Sequence, residues 1–141
     1  MRPSAPHPEL NLVHEIGHLL DHQSIGRPGV FASPEDDLFA QWRKAVEHTE
    51  ATATLRRIER ASRNPSVINY ARYQLQTVEQ WARSYAQFIA IRSGETRLID
   101  ELRQRQRDAT ASGVPVQWTH DDSRPVAVSI AYLFRALEWT T

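Results

Sequence analysis

Apolar residues recur at helical spacing through most of this chain, and the periodic stretches are separated by prolines, glycines and short polar residues. Residues 1–8 contain three prolines and read as an extended lead-in. Leu10, Leu12, Val13, Ile16, Gly17, Leu19 and Leu20 then follow the 3.6-residue period until the breaker cluster Gly26-Arg27-Pro28-Gly29. That is a helix of about four turns. Ser33-Pro34-Glu35-Asp36 has the form of a helix start, with a capping serine, a proline at the first helical position and acidic residues in the first turn. A second helix is expected from residue 34 to about 63, turning Leu38, Phe39, Trp42, Ala45, Val46, Leu55 and Ile58 inward. Asn64-Pro65-Ser66 ends it.

Residues 67–76 give an ambiguous pattern, in which Tyr70 and Tyr73 stand out. Thr77 and Gln80 have capping-box spacing and open a third helix running to about Ser93-Gly94. Val78, Trp81, Ala82, Tyr85, Phe88 and Ile89 form its apolar stripe. Residues 95–110 predict a fourth, highly charged helix, and residues 114–118 a short strand or an extended arm. A last helix follows Asp121-Asp122-Ser123 and Pro125, carrying Val128, Ile130, Ala131, Leu133, Phe134 and Leu137. The expected fold is mainly α, with little or no β-sheet, and one domain over residues 1–141 suffices.

Composition narrows the function classes. Seventeen basic and seventeen acidic residues cancel, so no broad field attracts nucleic acid or an anionic membrane. Residues 51–113 hold eleven arginines against six acids, but the charges are interspersed and read as a solvated helix face with no nucleic-acid motif. No apolar run is long enough for a membrane span, and the start lacks a signal-peptide layout, so a cytoplasmic or virion-associated place is expected. With no cysteine, there is no thiol nucleophile or Cys-based zinc site. Any metal must be held by histidines and carboxylates.

Residues 14–18 read His-Glu-Ile-Gly-His. On a helix, His14 and His18 lie one turn apart on the same face, so both imidazoles can reach one zinc ion. Glu15 stands beside them, placed to take a proton from a zinc-bound water, and Gly17 leaves room next to the metal face. His22 lies about 12 Å along the axis from His14, too far to join both histidines on one ion. The third ligand must come from another element. Glu79, near the start of the third helix, is the best candidate; His7, His48, His120, Glu47 and Glu50 are alternatives.

His14-Glu15-Ile16-Gly17-His18-Leu19-Leu20-Asp21, followed by Glu79-x-x-Ala82-x-x-Tyr85-Ala86, resembles the Glu-zincin metallopeptidases. The likeness is greatest to the branch of anthrax lethal factor and the peptidase domains of phage head-morphogenesis and large polyvalent proteins, and it covers about residues 10–92. It implies a Zn2+ ion on His14, His18 and Glu79, with Glu15 as general base acting on a peptide or protein substrate. It implies that Asp21 orients a ligating imidazole through its second nitrogen. It also implies a tyrosine ahead of the ligand glutamate that stabilises the oxyanion, with Tyr73 the nearer match and Tyr70 the alternative. The family carries a sheet before its active-site helix, whereas about ten residues precede that helix here. A fragment of a longer protein, a reduced peptidase and a catalytically silent, zinc-stapled structural module all fit that departure.

Overall fold

The computed structural model describes residues 7–26 and 28–139. Residues 1–6 of the expected lead-in, and Arg27 of the breaker cluster, lie outside the described residues, while Pro8, expected in the lead-in, already opens α1. Helix α1 (Pro8–Leu19) runs into a π turn at Leu20–Ser24, and a 3-10 turn (Asp37–Phe39) leads into α2 (Ala40–Glu47). Then come α3 (Glu50–Ala61), α4 (Pro65–Leu75), α5 (Thr77–Ser93), α6 (Thr96–Ser112) and α7 (His120–Ala136). No strand occurs among the described residues, so the mainly α expectation holds. None of these helices is long and apolar enough to cross a membrane.

Helix α5 is the axis of the packing. Every residue from Glu79 to Phe88 is buried, polar ones included, so the polar side chains need internal partners. Ser84 and Gln87 have them: Trp42 Nε1 donates to Ser84 Oγ at 3.0 Å, and Gln87 Nε2 donates to the Trp118 carbonyl at 2.9 Å. Phe39 and Trp42 meet Trp81 edge-on with ring centroids 4.9 and 5.5 Å away, and Phe134 meets Phe88 at 5.8 Å. Such edge-to-face pairs add to the burial of large apolar area. A smaller cluster of Leu10, Ala86, Ala90, Leu98 and Leu102 joins α1 and α6 to α5.

Several boundaries differ from the sequence pattern. The long second helix is two helices, because the backbone turns extended at Thr49, whose hydroxyl accepts from Thr52 N–H at 3.2 Å. Asp122 completes the break by accepting from Glu50 N–H and Ala51 N–H at 2.8 and 3.0 Å. Asp36, not Ser33, caps the turn before α2. Asn64 caps α4, so residues 67–75 of the ambiguous stretch are helical, and extended Gln76 separates α4 from α5. The Thr77–Gln80 capping box does not form; Gln80 Nε2 donates instead to Thr52 Oγ1 at 3.4 Å. Residues 114–118 are an irregular arm that buries Trp118, and α7 begins at His120, ahead of Pro125. Leu38 is exposed rather than inward.

Candidate metal centre

The histidine helix and the glutamate helix lie against each other at very short range. A Cβ added to Gly17 would stand 3.1 Å from Ala82 Cα and 3.0 Å from Tyr85 Cδ1. The space left by Gly17 is therefore filled by α5, not by the metal face as the sequence suggested. Trp81 Nε1 locks the seam by donating to the Gly17 carbonyl at 2.9 Å. Small residues at 17 and 82 let the backbones approach, and the side chains at 14, 18 and 79 then converge.

His14 Nε2 lies 3.2 Å from Glu79 Oε2, and His18 Nε2 lies 3.0 Å from Glu79 Oε1. One ligand atom from each of the three residues lies within 4.8 Å of the other two, the one such group of histidine, cysteine or carboxylate side chains among the described residues. Two imidazole nitrogens and a carboxylate oxygen are a donor set that suits zinc, so the residues fit that ion. Burial alone would raise the Glu79 carboxyl pKa. The His14 hydrogen bond, the His18 charge and the Tyr73 hydroxyl outweigh it and hold the group at about 2. Glu79 is thus an anion at any ordinary pH, as a ligand must be.

The remaining expected residues distribute unevenly. Glu15 is exposed and lines an open cleft of about 860 Å³ together with His14, Tyr73 and Glu79. Tyr73 is half-exposed, and its hydroxyl pKa is raised by burial and then by its hydrogen bond to Glu79. Tyr70 lines the same cleft, as do Arg83 and Arg105. Of the other ligand candidates, His48 Nδ1 is hydrogen-bonded to the Lys44 carbonyl, Glu47 pairs with Arg56 and His7 faces Asp108. Glu50 and His120 are exposed at the starts of α3 and α7.

Asp21 requires a correction. It is fully buried, but its carboxylate accepts from Ala32 N–H and Ser33 N–H at 2.8 and 2.7 Å and from Ser33 Oγ at 2.6 Å. None of its hydrogen bonds reaches an imidazole, and His18 Nδ1 is buried without a hydrogen-bond partner. Asp21 holds the loop after α1 rather than an imidazole. The sequence also gave no weight to Arg83, which is buried beneath the cleft; one turn after Glu79, on a helix buried all round, is the signal that marks it. Family models, curated proteins and solved structures were compared with the chain, and none matches it.

Proposed function

We propose that this chain is a zinc-dependent peptidase whose ion is held by His14, His18 and Glu79. The observation that carries the reading is the convergence of both imidazoles and the Glu79 carboxylate beside an open cleft that also receives Glu15. When bound, zinc would supply Lewis acidity, favouring deprotonation of water and polarising a peptide carbonyl. Glu15, exposed beside His14, would take the proton of the attacking water and pass it to the leaving amine. The Tyr73 hydroxyl, on the same cleft, would donate a hydrogen bond to the oxygen that gains charge. The test is hydrolysis of a mixed peptide library by the zinc-supplemented chain. Glu15→Ala should slow it by a hundredfold or more, on the order of what a general base contributes. Undiminished hydrolysis by that variant would overturn the mechanism.

One observation favours a second reading. The direct His14–Glu79 and His18–Glu79 contacts already join α1 to α5, so a bound ion there would also staple the two helices. In a silent structural module, zinc would raise the thermal midpoint while the same library remained uncut.

A further inference from the structure

Beyond the three metal-ligating side chains, the cleft has a cationic end. Arg83 lies one helical turn past Glu79 on α5 and is 2% exposed. Its Nη2 donates to the Gln74 carbonyl, and its guanidinium faces the Trp118 ring at 5.8 Å. Nε and Nη1 are buried with no hydrogen-bond partner. Burial lowers the Arg83 pKa to about 10, so the group still carries its charge at neutral pH. The nearest anion in its helix, Glu79, is spent on two imidazoles. A buried guanidinium with two open donors and no ion pair among the described residues is costly unless an anion meets it.

A second guanidinium approaches from another element. Arg105 of α6 is partly buried, donates to Asn11 Oδ1 at 2.6 Å and lines the same cleft. Tyr70 of α4 is half-exposed and lines the same cleft as both arginines. The acidic groups of the cleft stand apart from this end in their bonding: Glu79 is held by the histidines, and Asp108 faces His7 at 3.9 Å. Glu15 sits with His14 and Tyr73.

We propose that Arg83, Arg105 and the Tyr70 hydroxyl form a subsite for a carboxylate of the substrate. Paired guanidiniums suit a carboxylate, because their planar donor forks match its two oxygens. Four residues of helix separate Glu79 from Arg83, about 6 Å along the axis. An extended peptide advances roughly 3.3–3.6 Å per residue, so the recognised carboxylate belongs within about two residues of the cleaved bond. It is either an Asp or Glu side chain or the free C-terminus. The assignment deepens the peptidase reading and rests on it for the register, but the binding can be measured without turnover.

The experiment is calorimetric titration of the zinc-supplemented full chain with four alanine-based hexapeptides, followed by a cleavage assay on the same four. One has an internal Asp and an amidated end, the second Asn in that place, the third a free C-terminus without Asp, and the fourth an amidated end without Asp. At least one carboxylate peptide should bind about tenfold or more tightly than its neutral counterpart. Preference for the first or the third tells the side chain from the C-terminus. Arg105→Gln, on a partly exposed helix face, should abolish the preference while leaving the circular dichroism unchanged. Arg83→Lys, which keeps the charge but not the fork, should weaken it. Equal binding of acid and neutral peptides, no binding of any peptide, or a preference untouched by Arg105→Gln in the folded chain would overturn the subsite. Carboxylate-selective binding without hydrolysis would instead sink the peptidase reading and leave the subsite standing. Hydrolysis without carboxylate selectivity would do the reverse.

Discussion

Two buried carboxylates, Asp21 just past the end of α1 and Glu79 across the α1–α5 seam, are used in different ways. Asp21 receives two backbone N–H groups and a serine hydroxyl, all from residues 32 and 33. These donors carry hydrogen that a metal cannot replace, so the arrangement is a fixed loop clamp. Glu79 receives imidazole nitrogens, which can exchange a proton for a metal ion. The lesson is that burial of an acid does not reveal its job. The chemistry of the groups facing it does.

This comparison can be tested by separating metal affinity from stability. The largest effect is expected for Glu79→Ala. A four-ligand zinc site is worth roughly 10–16 kcal/mol, so losing one ligand should weaken zinc binding by about 3–4 kcal/mol, several hundredfold. Competition with a chelator of known affinity would measure it, and unchanged affinity would exclude Glu79 as a ligand. Asp21→Ala should do the opposite, destabilising the fold by about 3 kcal/mol because three buried donors lose their acceptor. Urea denaturation measures that loss, while zinc affinity in the folded fraction should change less than tenfold.

Gly17→Ala should blur the distinction. Its methyl group would press on Ala82 Cα and the Tyr85 ring, costing about 2 kcal/mol and spreading the helices that carry His14, His18 and Glu79. Stability and zinc affinity should therefore fall together, and a variant that lost neither would show that the seam is looser than its contacts. The smallest effect is expected at a remote acid. Asp122→Ala removes the acceptor for Glu50 N–H and Ala51 N–H and should cost about 1 kcal/mol, with zinc affinity unaltered. A measurable change in zinc binding there would mean that α3 and α7 position the site.

His14, Glu15 and His18 were legible because three residues within one helical turn are placed by helix geometry alone. Gly17 and Ala82 were legible as small residues, but their meeting across the seam was not. Glu79 could be singled out from its motif, yet its register against the two histidines depends on how α1 and α5 pack. Asp21 was misread for a related reason. Its spacing from His18 places it near that imidazole, but the loop at residues 32–33 supplies better-oriented donors. Arg83 was passed over because an arginine in a charged middle segment reads as solvated until the helix carrying it proves to be buried on every side.

By itself, the sequence determined the helical character of the chain, most helix positions and the pairing of His14 with His18, because these follow from local periodicity and from caps close in sequence. The tertiary structure decided the break at Thr49 and the start of α1. Asp122 supplies two acceptor contacts to the first turn of α3, and Glu101 accepts from Glu9 N–H and Leu10 N–H at 3.1 and 3.2 Å. Both acids lie more than seventy residues from the N–H groups they satisfy. Unpaired donors at a helix start must be met by something, but local sequence does not say by what when the acceptor comes from a distant helix. The same holds for the Glu79 carboxylate and for the arginines beneath the cleft, whose neighbours are chosen by packing around α5.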